Sequence, residues 1–342
     1  MTKSAELARI AQGMVAKGKG ILAADESTST IGKRFGKIGV ENTEPNRRDY
    51  RELLFRTTDA MKNHISGVIL YDETLRQSAK DGTPFVELIR AAGAIPGIKV
   101  DAGAKPLAQC PGETVTEGLD GLRERFVEYY RLGARFAKWR AVIDIANGIP
   151  TGTCIAANAH ALARYAALAQ ENGIVPIVEP EVLMDGDHDI DTCALVTERV
   201  LHQVFAELAL QRVELEGIVL KPNMAIAGVK CPKQAGIDEV AEKTVRVLKR
   251  CVPAAVPGIA FLSGGQGDED ATAHLNAMNA GFDLPWPLTF SYGRALQAAP
   301  QHAWSGKSEN VPAAQRAFAH RARMNGLAAT GDWQRALEKQ AA

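Results

Sequence analysis

The chain has 342 residues, 46% of them hydrophobic, enough for one large core or two modest ones, and α/β barrels occupy this length as a single domain. Lysine plus arginine equals aspartate plus glutamate, 40 against 40, so the chain as a whole gives no electrostatic reason to expect nucleic acid or an anionic membrane as partner. The five cysteines (Cys110, Cys154, Cys193, Cys231, Cys251) form no Cys-x-x-Cys pair and read as reduced thiols. No run of about 18 apolar residues occurs, and residues 1–16 lack the apolar stretch of a signal peptide, so a soluble, cytoplasmic protein is expected.

In chain order, eight short apolar runs read as strands: Ile21–Asp25, Gly67–Tyr71, Gly97–Asp101, Arg135–Arg140, Val175–Glu181, Gly217–Pro222, Ile259–Ser263 and Leu288–Ser291. Helical patterns such as Asn158–Glu171 and Asp191–Arg212 separate them. Gly93, Gly133, Gly173 and Gly217 precede strands, where a left-handed glycine turns the chain out of a helix. Eight strands alternating with helices predict a single (β/α)8 TIM barrel, of class α/β, over residues 1–342. An open dinucleotide-binding sheet is disfavoured, because the first strand runs into Ala24-Asp25-Glu26-Ser27 rather than Gly-x-Gly-x-x-Gly. Residues 326–342 are expected to form a loosely held C-terminal tail.

Barrel strands are buried on both faces and should be aliphatic. Here they turn polar where they end: Asp25 and Ser27, Lys99 and Asp101, Lys138 and Arg140, Glu179 and Glu181, Lys221, Ser263 and Gly265, Ser291 and Gly293. Each pair is spaced by two, so both members face the same way and converge on the mouth where barrel enzymes do chemistry. Unpaired buried ions cost several kcal/mol each, which makes this pattern expensive as mere structure.

Such a set suits carbon–carbon bond chemistry. A lysine ending an apolar strand, as Lys221 does, is desolvated and able to attack a ketone, with Lys138 a nearby cation. Lys99 and Lys138 are equally open as nucleophiles on these grounds. Glu179 and Glu181 share a face and can divide acid and base roles, while Asp25 can take a hydroxyl proton. Two phosphate sites are legible. One joins Ser263-Gly264-Gly265 to Gly293-Arg294, and the other gathers Ser27, Thr30, Lys33 and Arg34. The seven histidines show no ligand spacing and Asp185-Gly-Asp-His188-Asp does not fit a calcium loop, so no metal or other cofactor is expected and that segment reads as a solvated turn.

The segments Gly20-Ile-Leu-Ala-Ala-Asp-Glu-Ser-Thr, Phe136-Ala-Lys-Trp-Arg140, Val175-Pro-Ile-Val-Glu-Pro-Glu-Val, Leu220-Lys-Pro-Asn223, Phe261-Leu-Ser-Gly-Gly-Gln and Leu288-Thr-Phe-Ser-Tyr-Gly-Arg294 resemble class I fructose-bisphosphate aldolase. The likeness runs from about Leu7 to Leu327. It implies a homotetrameric barrel that reversibly cleaves fructose 1,6-bisphosphate to dihydroxyacetone phosphate and glyceraldehyde 3-phosphate, a glycolytic step. By this resemblance Lys221 is the Schiff-base lysine, Lys138 assists carbinolamine formation, Glu179 is the principal acid and base, and Asp25 deprotonates the hydroxyl. Glu181 supports them. Arg34, Ser263, Gly264, Gly265, Ser291, Gly293 and Arg294 become substrate and phosphate contacts, with Lys99 and Arg140 near the other phosphate.

Animal members of the family typically end in a tyrosine used for proton exchange, whereas the last tyrosine here is Tyr292. That mechanism does not carry over, and Glu179 is the expected substitute. A Schiff-base barrel acting on keto-deoxy acids is the rival enzyme reading. A binding scaffold is the rival of another class, and it would predict a damaged lysine or carboxylate at the mouth.

Overall fold

The computed structural model describes residues 2–339. Ten strands form: β1 Gly20–Ala24, β2 Ile65–Leu70, β3 Ile95–Lys99, β4 Gly103–Pro106, β5 Thr114–Glu117, β6 Phe136–Ile143, β7 Val175–Val182, β8 Val219–Leu220, β9 Ile259–Phe261 and β10 Leu288–Tyr292. Eight of them close a parallel barrel in the order β1-β10-β9-β8-β7-β6-β3-β2. All eight predicted strands are therefore present and in one barrel. β4 and β5 make a separate antiparallel pair. Its short, half-polar strands carry no apolar run, so periodicity gave no sign of them. The hairpin is tied down from outside the barrel by Asn158, whose Nδ2 donates to the Thr114 carbonyl at 2.8 Å and whose Oδ1 accepts from Thr116 N–H at 3.2 Å.

Two bodies of apolar contact hold the barrel. Inside it, Ile21, Ala23, Ile69, Phe136, Val175, Ile177, Val219 and Ala260 pack together, and Leu7, Ile10, Ala11 and Met14 of the helix Lys3–Met14 join them as a plug. Outside it, the opposite strand faces pack on the surrounding helices in one larger core. Aromatic rings pressed against the strands need room, and glycines supply it inside the barrel at Phe136 and outside it at Phe290. A Cβ on Gly97 would lie 2.3 Å from the Phe136 ring, and one on Gly20 would lie 2.6 Å from the Phe290 ring.

Gly93, Gly133 and Gly173 have φ of +81°, +106° and +72°, the left-handed turns expected. Gly217 differs. It lies in a 3-10 turn, Leu215–Gly217, outside the left-handed region. Glycine there serves close packing instead, since a Cβ would meet Gln170 at 3.0 Å and Leu7 at 3.1 Å. In Asp185-Gly-Asp-His188-Asp the three aspartates are exposed, but His188 turns inward. The loop is also stitched to the next one by Gly228 N–H donating to the His188 carbonyl at 2.8 Å. Among the described residues no helix is long and apolar enough to cross a membrane, and no group of three or more His, Cys, Asp or Glu is arranged to hold a metal ion.

The C-terminal stretch departs from the expected loose tail. Gly326 lies within the helix Val311–Ala328, and Trp333 is buried against the core. Glu338 accepts from Arg321 Nη1 at 2.6 Å and from Trp333 Nε1 at 3.0 Å, with His320 Nε2 also 3.0 Å away. Arg321 continues to Thr272 Oγ1 at 2.6 Å and the Asp268 carbonyl at 3.0 Å. A charge-assisted tether of this kind is invisible in a local reading of a polar C-terminus. Gln340 to Ala342 lie outside the described residues.

Burial alone would raise the Glu338 carboxyl; Arg321, His320 and Trp333 overcome it and hold it below the usual range. Its share of stability is therefore full above the ordinary glutamate pKa and fades as pH falls through the lowered folded value. Glu338→Ala leaves the buried Arg321 without its carboxylate and should cost about 3 kcal/mol at pH 7. Urea unfolding checks it, and a loss below about 1 kcal/mol would mean the tether is solvent-screened.

Candidate active site

The charged residues at the strand ends are brought together by register. β3 pairs with β6 so that Lys99 stands opposite Lys138, and β6 pairs with β7 so that Arg140 stands opposite Glu179. Lys138 Nζ lies 2.7 Å from Asp25 Oδ2 and 3.4 Å from Glu179 Oε2, and Lys221 Nζ lies 3.1 Å from Glu179 Oε1. The result is a line of alternating charge from Asp25 to Lys221. All four side chains are nearly buried, at 3–12% exposure. Apart from its contact with Lys138, Glu179 Oε2 has no hydrogen-bond partner among the described residues.

Burial would raise the Asp25 carboxyl, but Lys138, Lys221 and Lys99 outweigh it and hold it well below the carboxylate range. Burial would lower the Lys138 amine, but Asp25, Glu179 and Asp101 outweigh it and hold it well above the lysine range. This pair therefore rests in its charged form. Lys138 is thus ill suited to be a nucleophile, which needs a free amine. Lys99 is also engaged, 2.7 Å from Asp101 Oδ1 and from the Asp101 carbonyl at 2.8 Å.

A cavity of about 590 Å³ opens on this line. Asp25, Ser27, Thr30, Arg34, Lys99, Lys138, Arg140 and Gly293 line it. Ser27 caps the helix Thr28–Gly36, accepting from Thr30 N–H at 3.3 Å, so a positive helix end with hydroxyls of Ser27, Ser29 and Thr30 faces Lys99 and two arginines. Lys33 is the exception to the expected cluster. One residue is roughly 100° round the helix from Arg34, and Lys33 points to solvent.

Lys221 and Glu179 adjoin the cavity through Lys138, and Glu181 through its ion pair with Arg140. Ser291 is fully buried on β10, its Oγ unpartnered among the described residues. The 263–265 turn does not line this cavity. Ser263 is buried, the Gly264 carbonyl accepts from Arg294, and Gly265 N–H faces the Met184 sulfur.

Two site residues escaped the sequence reading. Glu26 is buried in the cavity wall and accepts from Arg34, from Arg51 Nη2 at 2.6 Å and from Gln297 Nε2 at 2.8 Å. Its partners lie up to 271 residues away, and no local pattern joins them. Asp101 was visible as a polar strand end but had no role. It holds Lys99, Gly103 N–H at 3.1 Å and Arg140 N–H at 3.3 Å together.

A family model described as fructose-bisphosphate aldolase class-I matches residues 6–342. The chain belongs to that family. It is 62% identical over 329 residues to a probable fructose-bisphosphate aldolase class 1 of Xanthomonas campestris, covering 96% of this chain and 98% of that one. It is 55% identical to the non-muscle aldolase of Lethenteron camtschaticum, covering 96% and 90%. The solved fructose-bisphosphate aldolase of Plasmodium falciparum, in complex with TRAP and a small-molecule inhibitor, superposes with a TM-score of 0.96 at 51% identity, covering 97% of this chain and 96% of that one. Class I aldolases are carbon–carbon lyases on a TIM barrel, and here that barrel puts a buried lysine and a buried carboxylate 3.1 Å apart at its mouth.

Lys138→Met removes the cation shared by Asp25 and Glu179. Burial is then less opposed, so the Asp25 carboxyl titrates at higher pH. Cleavage of the bisphosphate at pH 7 should fall by about 100-fold or more, and the acid limb of kcat/KM should move to higher pH. A pH–rate profile with an unmoved acid limb would remove Lys138 from this role.

Proposed function

We propose that this protein cleaves fructose 1,6-bisphosphate reversibly to dihydroxyacetone phosphate and glyceraldehyde 3-phosphate through an imine on Lys221. The observation that carries the reading is the contiguous line Lys221–Glu179–Lys138–Asp25, with separations of 3.1, 3.4 and 2.7 Å. Of the three candidate lysines, Lys221 is the one whose only ion-pair partner among the described residues, Glu179, is itself shared with another cation. Glu179 takes the proton of Lys221, and the free amine attacks the C2 carbonyl to give a carbinolamine. Protonation of its hydroxyl, with Glu179 and Lys138 as donors, expels water and leaves an iminium.

Cleavage then needs a base at the C4 hydroxyl. Asp25, held as a carboxylate in the resting site by the lysines around it, takes that proton as the C3–C4 bond breaks and the hydroxyl becomes an aldehyde. The bond's electron pair flows into the iminium and forms an enamine. Glyceraldehyde 3-phosphate leaves, the proton taken by Asp25 passes by way of Lys138 to Glu179, which delivers it to C3, and water hydrolyses the imine to free Lys221. Glu181 keeps Arg140 in place. One phosphate is assigned to Ser27, Thr30, Arg34, Lys99 and Arg140 around the cavity, and the other to Ser263, Gly264, Gly265, Ser291, Gly293 and Arg294 at the ends of β9 and β10, with Gly293 bordering both. Two such places favour a bisphosphate over a keto-deoxy acid with one phosphate or none.

We read the whole chain as one domain working in the cytoplasm, where thiols stay reduced; all five cysteines are unpaired. We also assign it a homotetrameric assembly. Leu195 and Leu210 of the helix Ile190–Leu210 are 60% and 72% exposed, and apolar side chains so placed favour burial against another subunit. Light scattering should give the mass of four chains, and a monomer would overturn the assembly.

Incubation with dihydroxyacetone phosphate and borohydride should inactivate the enzyme by reducing the imine. Peptide mass mapping should place the adduct on Lys221, and an adduct on Lys99 or Lys138 would refute the assignment.

A further inference from the structure

The turn from Ser263 to Gln266 is closed by Gln266 N–H donating to the Ser263 carbonyl at 3.1 Å, with Gly264 at φ +55°. The same carbonyl takes a second donor, Gln266 Nε2, also at 3.1 Å. This second bond holds only while the side-chain amide keeps its orientation, with Oε1 turned away from Ser263. Oε1 then sits 2.6 Å from His274 Nδ1. An amide oxygen can only accept, so the imidazole must carry its hydrogen on Nδ1.

His274 lies on the helix Asp268–Gly281 and is 8% exposed. Burial lowers its pKa, opposed by Asp270, so the ring is neutral near pH 7 and its tautomer is a genuine choice. Gln266 and His274 also face a cleft of about 490 Å³ beside the turn. Water there competes for the Gln266 amide, so something must hold its orientation.

We propose that His274, as its Nδ1–H tautomer, and Gln266 form a positioning pair that keeps the Ser263–Gly265 turn shaped to receive a substrate phosphate. This rests on the assignment of that turn to a phosphate under the proposed function. Neither side chain touches the reacting atoms, so the pair contributes to binding of ground state and transition state alike. Its loss therefore raises KM and spares kcat.

The test uses the full-length enzyme with His274→Ala, Gln266→Ala, the double variant and His274→Asn. An asparagine shares the Cβ–Cγ skeleton of histidine and can place its Nδ2 donor where Nδ1 stands. KM for fructose 1,6-bisphosphate and the Kd of inorganic phosphate should rise about tenfold in each alanine variant, the loss of one hydrogen bond. kcat should change by less than about twofold. The double variant should be no worse than either single one, because both break one unit. His274→Asn should recover most of the loss, and ¹⁵N spectra should show His274 protonated at Nδ1. Gln266→Glu keeps the volume and the acceptor for His274 but loses the Nε2 donor; it should reproduce the rise in KM even if His274→Ala folds poorly. A fall in kcat at unchanged KM, additive effects in the double variant, or a proton on Nε2 would overturn the proposal. If the wild type binds phosphate but does not cleave the sugar, the reaction assignment falls, and the pair is still judged by the phosphate Kd ratios.

Discussion

Asp25, Lys138, Glu179 and Lys221 can be buried together only because each charge is neutralised by the next. Taken singly, any of them would cost several kcal/mol in such surroundings. Placed in line at 2.7–3.4 Å they satisfy one another, and the line has one loose end, at Lys221. Everything around it serves that arrangement. The long paired ladder of β6 and β7, eight residues each, presents Lys138 and Glu179 on adjacent strands, and β1 and β8 supply the ends of the line.

The barrel divides labour between its two ends. At one, the helix Lys3–Met14 and the ring of Phe136 fill the interior, and Gly97 is required where that ring presses on β3. At the other, aliphatic packing gives way to charge. Glu26 works at the seam where β1 meets β10. By gathering Arg34, Arg51 and Gln297 it fastens the first strand's loop to the helix Arg294–Trp304 that follows the last strand. Arg51 and Gln297 also satisfy Glu26, so the buried carboxylate keeps partners that do not depend on Arg34.

Several features were beyond a local reading. The β4–β5 hairpin is held by Asn158, about 40 residues away, so its strands needed no apolar signature of their own. Gly217 looked like the other helix-ending glycines, yet the reason for it is the approach of Leu7 from the far end of the chain. The segment after Gly326 is polar and short of apolar periodicity, and it is ordered through Glu338 and Trp333 rather than by a stripe. In the first two cases the deciding partner is distant in sequence, and in the third it lies on the preceding helix, 17 residues back at Arg321.

What the sequence determined by itself is the set of strands, their alternation with helices, and the polar residues spaced by two at their ends. These are local properties, because period-two alternation puts Lys138 with Arg140 and Glu179 with Glu181 on one face whatever the rest of the chain does. The tertiary structure decided the pairing: that Glu179 stands between two lysines, that Lys99 belongs to Asp101, that Lys33 faces solvent, and that Glu26 gathers two arginines. The reason is that Coulomb energy depends on distance through space. A spacing along one strand fixes a direction, while only closure of the barrel and its register fix which opposite charge lies within 3 Å.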